Sequence, residues 1–188
     1  MEVVELDVTC SDSVGKAVSE ILSRTGRIDV VINNAGLALS GVSETLSDKQ
    51  VSDLFDVNVV GIQRVLRATL PTLRKQGDGL VINVGSILGR VTVPFFSVYG
   101  ASKHAVEALT DGYRYELSQL GIDVVLVQPG PYATQLYNNI KAPADAERND
   151  AYGEIAKLPG KVLEVVGGIF QGENAVEGLG LGALLKHG

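Results

Sequence analysis

Between residues 3 and 128 the chain alternates short, nearly continuous apolar runs with longer stretches whose apolar residues return every three or four positions. The runs are Val3 to Val8, Ile28 to Ile32, Leu80 to Val84 and Ile122 to Gln128. A run of this length closed by turn residues suits a strand, and the intervening period suits an amphipathic helix. Strand and helix in alternation predict α/β architecture with a parallel sheet, since parallel neighbours need a crossover long enough to hold a helix. The Ile28 run has no polar alternation, which is the pattern of a parallel strand covered on both faces.

The intervening helices carry their own punctuation. After the first run, Ser11 and Ser13 are candidate caps for a helix holding Val14, Ala17, Val18, Ile21 and Leu22, which Gly26 stops. Ser47 caps a longer one with Val51, Leu54, Phe55 and Val59, continuing through Ile62, Val65, Leu66 and Leu73. Asn58 lies among Val57, Val59 and Val60 in that helix and is expected to face something polar within. Gly77, Asp78 and Gly79 turn the chain into the third run, and Ser97 to Leu120 is a helix with Ala105, Val106, Leu109, Tyr113 and Leu117 inward. Lys161 to Phe170 reads as a short helix.

Composition bounds the class. The 188 residues are 45% hydrophobic, enough for one domain with a real core. The net charge is -6 and the basic residues are scattered, so no stripe suggests nucleic acid. The single cysteine, Cys10, has no internal partner and is read as a structural thiol; no cluster suggests a metal. No apolar stretch reaches the roughly 18 residues of a membrane span, and MEVVELDVT lacks the regions of a signal peptide, so the chain is read as cytoplasmic.

The chemistry concentrates in Gly85 to Lys103. Ser86 closes the third run, Tyr99 follows in the next helix, and Lys103 stands four residues later, one turn away on the same face. A nearby ammonium favours a phenolate and is expected to lower the tyrosine's pKa toward working pH. Such a phenol exchanges a proton with an alcohol or carbonyl oxygen, and Ser86 can hydrogen-bond that oxygen. His104 points away from Tyr99 and has no assigned role. Two further turns, Asn33-Asn34-Ala35-Gly36 and Pro129-Gly130-Pro131, end the second and fourth runs. All three motifs thus fall at the carboxyl ends of strands, where open α/β sheets bind ligands.

The serine, the Y-x-x-x-K, the N-N-A-G and the later P-G together resemble the classical short-chain dehydrogenase/reductase family, over about residues 3 to 135. That resemblance implies a Rossmann-like doubly wound sheet and hydride transfer between NAD or NADP and a small-molecule secondary alcohol or carbonyl. It gives Tyr99 the acid/base role, Lys103 its tuning, Ser86 the substrate oxygen and Asn58 a water in the proton path. It sets Asp7 and Val8 beside the adenine, Asn34, Ala35 and Gly36 near the ribose, and Tyr99 and Lys103 at the cofactor. It sets Pro129, Gly130, Tyr132 and Thr134 at the nicotinamide end. It also implies a homo-oligomer, dimer or tetramer, paired through the helices of Asn58 and Tyr99, and a substrate lid in Lys141 to Asp150. The segments around Asn34, Asn58 and Tyr99 are similar to the branch of hydroxysteroid and retinol dehydrogenases.

One departure stands at the front. The family's first β-α-β unit, with its T-G-x-x-x-G-x-G turn, does not precede Met1, and Gly178 to Gly182 does not replace it. Residues 1–188 are therefore expected to be one N-terminally truncated Rossmann-type domain, with 137–188 its lid and weakly patterned tail. The alternative function is a non-catalytic remnant that binds no dinucleotide and acts through oligomer contacts.

Overall fold

Val30–Asn33 (β1), Gly79–Val84 (β2) and Ile122–Val127 (β3) hydrogen-bond in parallel, in the order β1-β2-β3. The computed structural model describes residues 2–130 and 139–170, with side chains described through Val165. Around the sheet run Ser11–Thr25 (α1), Asp48–Phe55 (α2), Gly61–Gln76 (α3), Ser97–Leu117 (α4), Ala146–Ala151 (α5) and Leu158–Phe170 (α6). This is the expected α/β, Rossmann-like arrangement. The last helix starts three residues earlier than the sequence suggests.

The register sets Val31, Val81 and Val124 side by side. Together they pack on Ile62, Leu66 and Leu73 of α3 and on Val106 and Leu117 of α4. Alternate residues point the other way, and there Val30, Ile32, Val125 and Val127 are exposed. The second apolar run is therefore covered on one face among the described residues, not on both.

Val3 to Val8 forms no strand, contrary to the sequence expectation, and Val3 is 82% exposed. A strand satisfies its backbone groups through a neighbour, and among the described residues β1 pairs only with β2. The segment is held by side chains instead: Arg64 Nη1 donates to the Val8 carbonyl at 3.1 Å, and the Asp7 amide donates to Ser13 Oγ at 3.0 Å. Ser11 and Ser13, the candidate caps, lie inside the first turn of α1 and cap nothing. Cys10 takes the cap position without a side-chain bond and is exposed, so it is not a buried structural thiol.

The other punctuation acts as read. Gly26 and Gly77 end α1 and α3 in the left-handed region, at φ 73° and 69°. Ser47 and Gln50 form a reciprocal capping box at the start of α2. Between α2 and α3, Asp56–Val60 makes a π-helical turn, in which the Gly61 amide reaches back to the Asp56 carbonyl. Such turns insert a residue and re-aim the side chains within them, and Asn58 is one of these.

Candidate active site

The carboxyl edge of the sheet is fixed by a buried polar ladder. Asn33 Nδ2 donates to Asn83 Oδ1 at 2.8 Å, and Asn83 Nδ2 donates to Thr110 Oγ1 at 2.9 Å, joining β1, β2 and α4. From that edge the chain leaves β1 as Asn34-Ala35-Gly36 and leaves β2 as Gly85-Ser86. Helix α4 brings Tyr99 and Lys103 to the same place. Lys103 Nζ lies 5.8 Å from the centroid of the Tyr99 ring and donates to the Val84 carbonyl at 2.9 Å. Ser86 Oγ accepts from the Leu88 amide at 3.1 Å, and the Ser86 side chain stands beside the Tyr99 phenol and works to lower its pKa. All three residues are buried.

The electrostatics differ from the sequence expectation. Burial pushes the Tyr99 phenol above its ordinary value, and the Ser86 hydrogen bond only partly opposes this. Burial also brings the Lys103 ammonium down from 10.5 to about 8. The expected lowering by Lys103 is not seen: burial, which penalises both charged forms, leads, and the opposing contribution comes from Ser86. Tyr99 sits in an apolar cluster with Ala38, Leu39, Leu54, Phe96 and Val162, and Phe96 meets its ring edge-on at 6.4 Å.

Asn58 faces polar partners, as expected, and is 1% exposed. Its Oδ1 accepts from the Leu37 amide at 2.7 Å, and its Nδ2 donates to the Leu37 carbonyl and Ser102 Oγ, each at 3.0 Å. The side chain thereby pins the backbone just beyond Gly36. A Cβ on Gly36 would stand 3.5 Å from Asn58 Oδ1 and 3.9 Å from Lys103 Nζ, so this bare backbone joins Asn58 to Lys103.

A cleft of about 240 Å³ opens on the β1 side, lined by Leu6, Val8, Ile32, Asn34, Ala35 and Val57 among others. Val8, Asn34 and Ala35, expected near a common ligand, do meet here. Asp7 does not line it: its carboxylate accepts from the Thr9 hydroxyl and amide, which hold it below the usual carboxylate range. Pro129 contacts the Ser86 side of the site, its carbonyl accepting from the Ile87 amide at 3.0 Å, while Gly130 is exposed. Tyr132 and Thr134 lie outside the described residues. His104 is exposed and its Nδ1 meets the Gly100 carbonyl, away from the phenol. The expected lid, Lys141 to Asp150, is tied to the loop after Gly36 and to α2: the Lys141 amide donates to the Ala38 carbonyl at 3.1 Å, and Gln50 Nε2 donates to the Ala142 carbonyl at 2.8 Å.

Two residues escaped the sequence reading. Ser102 is buried and donates to the Tyr99 carbonyl at 2.7 Å while accepting from Asn58. Glu107 is buried one turn beyond Lys103 and pairs with Arg90 at 2.7 Å. The signal was available: Lys103, Glu107 and Thr110 form a polar stripe at helical spacing beside inward apolar residues, where polar side chains need partners.

A family model described as short chain dehydrogenase matches residues 1–145. The chain is 39% identical over 140 residues to human 17-beta-hydroxysteroid dehydrogenase type 1, covering 74% of this chain and 42% of that protein. It is 36% identical over 159 residues to 3-ketodihydrosphingosine reductase of Bacteroides thetaiotaomicron, covering 85% and 59%. A crystal structure of a short-chain dehydrogenase from Streptomyces avermitilis superposes with a TM-score of 0.75 at 35% identity, covering 86% of this chain and 59% of that one. A gluconate 5-dehydrogenase from Burkholderia cenocepacia, in complex with NADP and tartrate, matches with a TM-score of 0.67 at 30% identity, covering 70% and 51%. The chain spans between about two fifths and three fifths of the length of these proteins.

Proposed function

The chain belongs to the short-chain dehydrogenase family, and from that premise we propose that it moves a hydride between NAD(P) and a secondary alcohol or the corresponding carbonyl compound. The observation that carries this is the meeting of Ser86, Tyr99 and Lys103 in one buried place at the carboxyl edge of the sheet. No metal cluster occurs among the described residues, and the roles below need none.

The residues present fit a dinucleotide at two points. The cleft carrying Val8, Asn34 and Ala35 offers apolar walls with polar groups at one end, which suits an adenosine moiety. The Gly36 backbone lies within van der Waals reach of Asn58 and Lys103, and Lys103 with Gly36 would hold a ribose there. Pro129, Gly130, Tyr132 and Thr134 at the nicotinamide side complete the proposed contacts. When bound, the nicotinamide supplies or accepts the hydride.

Tyr99 gives its phenolic proton to the carbonyl oxygen during reduction and takes it back during oxidation. A phenol held above its ordinary pKa is protonated at neutral pH, which suits the acid role. Ser86 Oγ accepts from Leu88, and its one hydrogen turns from the Tyr99 phenol to that same carbonyl oxygen when substrate enters. Lys103 stabilises the tyrosinate formed as the proton leaves. Asn58 acts on this relay by fixing the backbone beyond Gly36 and, through Ser102, the first turn of α4. Self-association through α3 and α4 belongs to the same reading.

Titration of the purified chain with NADH and NADPH, followed by nucleotide fluorescence, tests cofactor use; at least one is expected to bind. Tyr99→Phe is expected to retain that binding while lowering turnover by about a thousandfold, the scale of a lost general acid. Unchanged turnover removes Tyr99 from its role. A second reading, in which the chain keeps these residues without binding a dinucleotide, is favoured by the exposed Val30 and Ile32 beside the cleft. Absence of binding at millimolar nucleotide selects it.

A further inference from the structure

Glu107 has no part in the proton transfers above, yet it joins α4 to the turn after Ser86 and to the end of β3. It is buried on α4, one turn past Lys103, with a side chain 11% exposed. One carboxylate oxygen pairs with Arg90 Nε at 2.7 Å, just beyond the Ile87–Gly89 turn. The other accepts a hydrogen bond from Gln128 Nε2, the residue after β3 and before Pro129.

The packing between these bonds is equally specific. A Cβ on Gly89 would fall 2.4 Å from Glu107 Oε1 and 3.0 Å from the Lys103 carbonyl. The turn therefore lies directly on the carboxylate and on the backbone of the site lysine. That turn begins at Ser86, whose carbonyl accepts from the Gly89 amide at 2.9 Å. It is tied to the end of β3 as well, the Ile87 amide donating to the Pro129 carbonyl at 3.0 Å. A carboxylate so enclosed needs its charged and polar partners in place together, because losing one leaves it desolvated and underpaired.

We propose that Glu107 is a positioning residue: by holding Arg90 and Gln128 at once, it locks the Ser86 turn and the Gln128-Pro129 strand end against α4, and so sets the Ser86 hydroxyl on the Tyr99 phenol. This rests on the catalytic reading of Ser86 and Tyr99. Arg90, whose side chain is 65% exposed, gives the clamp its ionic half, and Gln128 its neutral half. Glu107 touches neither reacting atom; it acts through the turn.

The test reads the Tyr99 phenol in the full chain by ¹³C-tyrosine NMR against pH, with Tyr99→Phe assigning its resonance among the six tyrosines. Ser86 lowers the Tyr99 pKa in the structure, so Ser86→Ala is expected to move the midpoint upward. Glu107→Ala is expected to move it upward by a similar amount, and Glu107→Gln, which still accepts from Gln128, by less. A shift with Ser86→Ala but none with Glu107→Ala overturns the clamp alone. No shift with Ser86→Ala overturns the Ser86–Tyr99 pairing and the clamp with it. If Glu107→Ala does not fold, Arg90→Ala, made at an exposed side chain, decides: a smaller upward shift supports the clamp, and an unmoved midpoint overturns it.

Discussion

Strands β1 and β2 pair in register through nearly the same four residues, Val30-Val31-Ile32-Asn33 against Leu80-Val81-Ile82-Asn83. Their surroundings differ. Val81 and Asn83 are wholly buried, while Val31 and Asn33 are each 8% exposed; on the opposite face Ile32 is 61% exposed and Ile82 is half-buried. β2 has a neighbour on each side and β1 has one. Position in the sheet, rather than local hydrophobicity, thus decides how much of an apolar strand leaves water. It also explains why the chemistry gathers behind β2: Ser86 extends from its end, and Lys103 is anchored on its last carbonyl, that of Val84.

The sharpest way to break this comparison is at the paired asparagines. Asn83→Ala removes the acceptor for Asn33 and the donor to Thr110, leaving two buried groups underpaired. It is expected to destabilise the chain by about 4 kcal/mol, against roughly half that for Asn33→Ala. Equal losses in urea unfolding would mean that the two strands are equivalent after all.

Next in size is a titration that the buried side alone should carry. Burial lowers Lys103 from 10.5 to about 8, so between those pH values the unfolded chain binds the proton that the folded chain has released. Stability therefore rises with pH across that window, by at most about 3 kcal/mol. Melting temperatures of the parent and Lys103→Met between pH 7.5 and 10.5 check it. The rise attributable to Lys103 must vanish in the variant, and a parallel pair of curves would contradict the burial of the ammonium.

The smallest effect is expected outside. Ile32→Thr, at an exposed strand position, should change stability by no more than about 0.5 kcal/mol. A loss of about 2 kcal/mol or more would show that this face is covered in solution.

Much of this was legible from short-range pattern. The capping box of Ser47 and Gln50, the glycine stops at Gly26 and Gly77 and the start of α4 at Ser97 all depend on residues within a turn or two of one another. The common place of Tyr99 and Lys103 follows from helix geometry, and that of Asn34 and Ser86 from their lying past the ends of adjacent strands. Asn58 was legible as needing polar company, though not which partners would supply it. The helical spacing of Glu107 showed that it would need a partner, but not which one, because Arg90 and Gln128 lie 17 residues before it and 21 after it in the sequence.

By itself, then, the sequence determined the alternation of strands and helices and the one-turn spacing of phenol and ammonium, since both are properties of the local backbone. Tertiary structure alone decided that Val3 to Val8 is no strand, because a strand exists only beside a neighbour that completes its hydrogen bonds. It also decided the direction of the Tyr99 shift. Spacing brings a cation near, but only packing sets how far both groups are withdrawn from water, and here that withdrawal is the larger effect.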